Sequence, residues 1–217
     1  MRAFASVVVS VFLLTPGVCR AVTLTVSPSM STAAQGSVVD VAIRISELGL
    51  FSAPSLATYD LVLDFDSTVL SLSSVDFGDP ILGDRLDVLG LGVLAVSSPA
   101  AGSVNLFELS FDTTADLNAL QEDAFVLATV HLNAIGVGDG GLGLLVNALG
   151  DAEAQALDAS TIINPLTIVV PEPSSTALLG LGLFAQAVAG RSTFGRGTSR
   201  RPVEDRTTVP VAHPVGE

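Results

Sequence analysis

Residues 59–72 read YDLVLDFDSTVLSL, and this stretch decides the fold class. From Tyr59 to Phe65 every second residue is large and apolar, the period that is typical of a β-strand with one buried face. The next three residues, Asp66, Ser67 and Thr68, are types that favour turns. A second apolar segment follows, so the stretch predicts a strand, a tight turn and another strand.

The same organisation extends through the middle of the chain, where short apolar segments are separated by Gly, Pro, Asp and Asn. Aromatic residues make up 5% of the sequence and Trp is absent, so we expect an aliphatic core. We predict an all-β sandwich of about nine strands, with one short helix at 114–121. The predicted strands are 22–27, 38–46, 58–65, 69–77, 86–96, 103–111, 125–135, 142–149 and 161–170.

Four further segments, in the order in which they occur, resemble the strands of cohesin modules. They are VTLTVSP at 22–28, SVVDVAIRI at 37–45, GSVNLFELSF at 102–111 and FVLATVHLNAIG at 125–136. Together with 59–72, this resemblance implies a cohesin-like jelly-roll β-sandwich. It also implies a dockerin-like protein partner, or a polysaccharide ligand as in related carbohydrate-binding modules.

The N-terminus has the pattern of a secretory signal peptide. Residues 3–18 are almost wholly apolar and follow a basic residue. Small residues at Cys19 and Ala21 suit a cleavage site after Ala21, and the apolar segment is short for a membrane span. Lipidation of Cys19 is the alternative, but it is disfavoured because the preceding residue, Val18, is branched.

The C-terminus contains a second targeting pattern. Pro171, Glu172 and Pro173 precede an apolar run at 177–190, and Arg191 follows it. The order of these features resembles the PEP-CTERM sorting tail of Gram-negative bacteria. The resemblance implies transient insertion into the inner membrane, processing by an exosortase-type protease, and display on the cell surface or in the extracellular matrix of a biofilm. A plain C-terminal membrane anchor is the alternative.

We therefore divide the chain into four regions. They are a signal peptide with an apolar helix (1–21), a cohesin-like β-sandwich domain (22–170), a sorting tail with a hydrophobic helix (171–191) and a polar, Arg-containing extension predicted to be disordered (192–217).

The middle region is strongly acidic. Residues 22–170 contain eighteen Asp and Glu but only Arg44 and Arg85, and therefore carry a formal charge of −16; the whole chain has no Lys. Binding to phosphate backbones needs clustered Lys and Arg, so this charge excludes a nucleic-acid partner.

Acidic side chains are the candidate metal ligands. Asp60, Asp64 and Asp66 stand at even spacing, which places all three on one face of a strand. Two interpretations remain open, a solvated strand face and a calcium site, since calcium takes six to eight oxygen ligands. The same two interpretations apply to a second acidic region, formed by Asp76, Asp79, Asp84 and Asp87.

Catalytic residues are not evident. His131 is the only histidine between 22 and 170, and Cys19 is the only cysteine in the chain. Neither zinc ligation nor a catalytic triad can be built around a single histidine without a nucleophile motif. We expect a non-enzymatic exported protein with a cohesin-like adhesion or binding domain, and a carbohydrate-binding module as the alternative.

Overall fold

Strands dominate the computed structural model, which describes residues 21–171. This part of the chain contains twelve strands and one helix. The elements are β1 (Val22–Pro28), β2 (Thr32–Ala34), β3 (Val38–Ser46), β4 (Leu56–Asp64), β5 (Leu70–Phe77), β6 (Val93–Ala100), β7 (Ser103–Ser110), α1 (Thr114–Leu120), β8 (Phe125–Ala134), β9 (Gly138–Asp139), β10 (Gly143–Asp151), β11 (Ala159–Ile163) and β12 (Thr167–Val169).

Two large sheets enclose one core. The first has five strands in the order β11-β1-β3-β8-β5, and the second has four in the order β10-β4-β7-β6. A small third sheet, β2-β12-β9, joins the beginning of the domain to its end. Most neighbouring strands are antiparallel, whereas β11 runs parallel to β1 and β12 parallel to β2. The predicted all-β sandwich is confirmed.

The core is aliphatic because every second residue of the central strands points inward. On β3, the residues Val39, Val41, Ile43 and Ile45 are all 0% exposed. Burial of each such side chain stabilises the fold by roughly 1.5–3 kcal/mol relative to exposure. Alternating side chains of β1, β4, β7 and β8 complete the same cluster.

The stretch 59–72 folds as its pattern predicts. Tyr59, Leu61 and Leu63 are fully buried on β4. Asp66 Oδ1 accepts hydrogen bonds from the backbone N–H of Thr68 at 2.8 Å and from its Oγ1 at 2.7 Å. These bonds hold the turn after β4, and β5 begins directly after it.

The predicted helix at 114–121 is observed as α1. Thr113 is its N-cap and accepts a hydrogen bond from the backbone N–H of Asp116 through Oγ1. Only Leu117 of the helix is buried. At the C-terminal end, the side chain of Gln121 bonds both backbone groups of Leu56, so the helix is tied to the start of β4.

Two predicted strands need correction. The strand predicted at 86–96 begins only at Val93, because the carboxylate of Asp87 accepts a hydrogen bond from the backbone N–H of Gly92 and closes a turn. The strand predicted at 161–170 is split into β11 and β12. Pro165 has no N–H to donate between them, and the two pieces pair in different sheets.

The number of strands is also larger than the nine predicted. Besides the split of the last strand, β2 and β9 were not predicted, because segments of three and two residues are too short to show a period of two. The predicted signal helix and C-terminal hydrophobic helix lie outside the described residues. Within 21–171, no helix has the length and hydropathy needed to cross a membrane.

One polar pair interrupts the aliphatic core. Tyr59 on β4 and Glu108 on β7 are cross-strand partners, and both are 0% exposed. Tyr59 Oη donates a 2.6 Å hydrogen bond to Glu108 Oε2. Burial raises the pKa of Glu108 to about 8; the bond from Tyr59 opposes this rise, whereas the nearby carboxylates of Asp84 and Asp87 add to it. Glu108 is therefore mainly protonated at neutral pH.

This pair predicts that the free energies of unfolding of the wild type and of Glu108→Gln differ by an amount that depends on pH. The folded protein keeps the Glu108 proton up to about pH 8, whereas the unfolded chain loses it near 4.5. Wild-type stability relative to the variant should thus be greatest below pH 4.5, fall as pH rises to about 8, and then level off. Urea unfolding of both proteins from pH 4 to 9 measures the difference, and a difference independent of pH would contradict the assignment.

Candidate functional site

The four-stranded sheet carries an uncovered apolar surface. Its solvent-facing side, here called the outer face, consists of the side chains that alternate with the buried residues of β10, β4, β7 and β6. Leu94, Val96 and Leu145 are 47%, 41% and 55% exposed. The half-buried apolar residues beside them are Val62, Phe107 and Leu109.

Strand register arranges these residues in rows across the sheet. In one row Leu94 lies next to Leu109, and in the next Val96 lies next to Phe107. Phe107 is in turn paired with Asp60, which is paired with Ala148 on β10. The outer face therefore has one carboxylate, Asp60, set between apolar side chains in the middle of β4, and a second, Asp64, at the end of that strand.

Asp60 is held in place by two amides. Its Oδ1 accepts a hydrogen bond from Asn105 Nδ2 at 2.6 Å and another from Asn147 Nδ2 at 3.1 Å. Within the described part of the chain, no hydrogen bond reaches its Oδ2. Asn147 stands at a bulge between Val146 and Ala148, which lets its side chain reach back toward Asp60.

A cavity of about 510 Å³ adjoins one end of the outer face. Residues of the sheet, among them Thr58, Leu109, Ala148 and Gly150, line it together with residues of the loop after β10. Most of its lining side chains are small, so the cavity could accept a side chain of a partner that lies on the face.

The three predicted acidic ligands do not form one site. Asp60 is bound to amides, Asp66 holds its own turn, and Asp64 is an exposed residue at the end of β4. Between residues 21 and 171, no group of three or more His, Cys, Asp or Glu is arranged to hold a metal ion. A solvated strand face fits this arrangement better, and the calcium site stays a prediction.

In the second acidic region, the carboxylates of Asp79, Asp84 and Asp87 accept backbone hydrogen bonds in turns. Asp79 accepts bonds from the backbone N–H groups of Ile81, Leu82 and Val126. Burial alone would raise its pKa, but these three bonds lower the pKa overall. Asp84 likewise accepts a bond from the backbone of Leu86. These carboxylates close the loop between β5 and β6.

His131 belongs to the opposite sheet, where it bridges two carboxylates. Its Nδ1 lies 2.6 Å from Asp40 Oδ1 on β3, and its Nε2 lies 3.1 Å from Asp76 Oδ2 on β5. The hydrogen bond to Asp40, followed by that to Asp76, raises the pKa of His131 above its ordinary value. Both ring nitrogens are therefore engaged by carboxylates.

Sequence reasoning missed several polar residues that the fold brings together. Asn105 and Asn147 are 42 positions apart in the chain, and only the pairing of β4 with both β7 and β10 makes them neighbours of Asp60. Glu108 could have been recognised, because it continues the buried alternation of Val104 and Leu106. No comparable signal marks the bridge at His131.

The C-terminal segment and the middle of the chain resemble different known proteins. Residues 169–192 match the PEP-CTERM protein-sorting motif. The chain carries an exosortase-type sorting signal. The signal predicted at Pro171, Glu172, Pro173 and Arg191 lies within this match, and it marks an exported, membrane-processed protein. No protein with a curated description matches the sequence significantly.

The domain has a cohesin-like fold. Similar solved structures include a type II cohesin–X-dockerin complex from Acetivibrio cellulolyticus (TM-score 0.52, 13% identity, covering 68% of this chain and 99% of that one). A type I cohesin–dockerin complex from Clostridium thermocellum has a TM-score of 0.51 at 12% identity and covers 69% of this chain and 100% of that one. A type I cohesin from Pseudobacteroides cellulosolvens has a TM-score of 0.50 at 15% identity, covering 70% and 95%. At these identities the likeness establishes the fold, and it confirms the predicted cohesin-like sandwich.

The bridge at His131 predicts a raised pKa for its imidazole and a stability that depends on pH. Since the folded pKa is raised, the charged bridge stabilises the fold fully below the unfolded value near 6.5, and this stabilisation is lost as pH rises through the folded pKa. NMR titration of the imidazole should give a pKa above 6.5, and Asp40→Asn should lower it. A wild-type pKa at or below 6.5 would be inconsistent with the bridge.

Proposed function

We propose that the chain is a non-enzymatic exported binding protein whose outer face binds a dockerin-like protein module. The observation that carries this proposal is the uncovered apolar face centred on Asp60. Contiguous apolar surface on a soluble domain commonly marks an interaction site. Here it extends across all four hydrogen-bonded strands of the sheet, from β10 to β6, and a surface that is already formed needs little reorganisation for binding.

The chemistry of the face indicates what a partner should present. Leu94, Val96 and Leu145 would be covered by apolar side chains. The Oδ2 atom of Asp60 would accept a hydrogen bond from a hydroxyl, amide or cationic donor. The formal charge of −16 on residues 22–170 favours a partner with a basic contact surface, because complementary charge accelerates association.

The solved cohesins support a protein partner. Two of the similar structures are complexes of a cohesin with a dockerin. The fold alone does not carry their activity over to this chain. The apolar outer face is the independent feature that makes a comparable protein contact plausible on physical grounds.

A polysaccharide ligand has less support. Carbohydrate-binding surfaces commonly use exposed aromatic rings as platforms. The chain has no Trp, and its one Tyr, Tyr59, is fully buried. In the four-stranded sheet, the one aromatic side chain on the outer face is the half-buried Phe107.

A non-enzymatic role is part of the same proposal. His131, the one histidine among residues 21–171, is engaged by two carboxylates. The buried Glu108 is bonded to Tyr59 inside the core rather than placed at a cleft. Among the described residues, neither side chain is hydrogen-bonded to a serine, threonine or cysteine, so nucleophilic catalysis has no support.

The sorting route completes the proposal. A signal peptidase would cleave after Ala21, and the apolar run 177–190 would insert transiently into the inner membrane. An exosortase-type protease would then recognise Pro171, Glu172 and Pro173 with Arg191, and it would transfer the domain to the cell surface or extracellular matrix. The PEP-CTERM match supports this route.

Substitution of the outer face tests the binding function. We expect Leu145→Lys to weaken binding of a dockerin module at least tenfold, or about 1.4 kcal/mol, because it places a charge in the apolar contact. Ile162→Lys is the matched control, since Ile162 is 51% exposed but lies on the other sheet. Isothermal calorimetry against recombinant dockerin modules encoded by the source bacterium measures both variants.

Two outcomes of that experiment would reject the proposal. One is equal weakening by the two variants. The other is binding to no dockerin module, together with tight binding of the bacterium's purified exopolysaccharide. Asp60→Asn adds a finer test, because it keeps the shape of the side chain but removes the charge that a basic donor would need.

Mass spectrometry of the mature protein from its native host tests the sorting route. We expect an N-terminus at Val22 and loss of the apolar run and all residues after it. Replacement of Pro171, Glu172 and Pro173 by Ala should leave the C-terminal region attached and the protein in the membrane fraction. A wild-type protein that still ends at Glu217 would contradict exosortase processing.

A further inference from the structure

The edge strand β6 is uncovered on both sides. It is the last strand of the four-stranded sheet, and β7 is its one strand neighbour in that sheet. Seven of its eight residues are exposed, including those on the side that faces the other sheet. An edge strand of this kind presents unpaired backbone N–H and C=O groups and is a template for another strand.

The other three edges of the large sheets are protected. Two register irregularities break β10, one at Val146/Ala148 and one at Gly150/Asp151. A further irregularity interrupts β5, which also carries the charged Asp76. β11 is only five residues long. Bulges, charges and short length are the usual means of preventing edge-to-edge pairing.

β6 has none of these protections along most of its length. Its eight residues pair with β7 without a register shift. No charged residue occurs anywhere in the segment 88–107, which spans β6 and most of β7. Pro99 limits pairing only near the end of the strand, so Val93 to Ser98 remain available.

We propose that β6 pairs with β6 of a second copy of this chain. The two strands would run antiparallel about a two-fold axis and join the four-stranded sheets into one eight-stranded sheet. Leu94 and Val96 would then extend a continuous apolar surface across the junction. Both outer faces stay exposed, so the dimer would be bivalent for a partner.

Charge is the reason for choosing a second copy. Two domains that each carry a formal charge of −16 repel one another in most relative orientations. The segment 88–107 is the longest charge-free segment of residues 21–171, so a contact along β6 places no charged side chain of that strand against the second copy. Pairing should therefore strengthen with salt, which screens the repulsion between the remaining surfaces.

Light scattering with size-exclusion chromatography tests the dimer. The domain 22–171 is suitable because it contains the complete described core, and isolated cohesin modules of the same fold are themselves folded. We expect twice the monomer mass at high protein concentration, with dimerisation strengthened between 0.05 and about 0.5 M NaCl, where the Debye length falls from roughly 14 to 4 Å. Ser97→Lys should weaken the dimer at least tenfold.

Two controls locate the contact. Thr161→Lys adds the same charge to the exposed edge strand β11 and should leave the dimer unchanged. Leu145→Lys alters the outer face and should also leave the dimer unchanged. Loss of dimerisation can therefore be distinguished from loss of partner binding. A monomer at all concentrations and salt levels, or a dimer insensitive to Ser97→Lys, would overturn the proposal.

Hydrogen exchange provides a readout that does not depend on a variant. Backbone amides between Val93 and Ser98 should become at least tenfold better protected as protein concentration rises through the dimer range. Amides of β11 should show no change. Concentration-dependent protection at β11 and not at β6 would show that the copies meet through β11, and it would reject the proposal.

Discussion

The packing of two sheets on one aliphatic core is the constraint on which the rest of the structure depends. Residues such as Ile43 and Leu61 must point inward, so their neighbours in sequence must point outward. The central strands therefore alternate between residues given to the core and residues given to a surface. The core holds β4 and β7, and these strands hold the edge strands β10 and β6 through backbone pairing, so the outer face is formed before any partner binds.

The two outward surfaces of the sandwich differ in chemistry. On the five-stranded sheet, Asp40, His131 and Asp76 form a hydrogen-bonded bridge across three strands. On the four-stranded sheet, apolar side chains surround Asp60, whose Oδ1 is occupied and whose Oδ2 accepts no bond within the described residues. The first surface satisfies its own polar groups, whereas the second leaves apolar area and an acceptor for a partner. This asymmetry is the physical basis for the proposal that the binding site lies on the four-stranded sheet.

Features that depend on residues close together in the sequence could be predicted, whereas features that depend on the pairing of distant strands could not. The alternation at 59–72 and the capped helix after Thr113 are local, and both were predicted correctly. The turn at 86–92 was assigned to a strand because its leucines mimic a strand pattern, and the side chain of Asp87 closes the turn through a contact that the pattern does not show. The clamp around Asp60 depends on the pairing of three strands, so no local pattern could reveal Asn105 and Asn147 as its members. The sorting motif, in contrast, is read directly along the chain and was found from Pro171, Glu172, Pro173 and Arg191.

The central claim is that this domain binds a protein partner through its four-stranded sheet. The most direct measurement is the change in backbone and methyl NMR signals of the domain as a dockerin module is added. The account predicts changes concentrated at Asp60, Phe107, Val96 and Leu145, with the signals around His131 unaffected. Changes centred on His131 and the five-stranded sheet, with the signals of Asp60 and Leu145 unaltered, would contradict it.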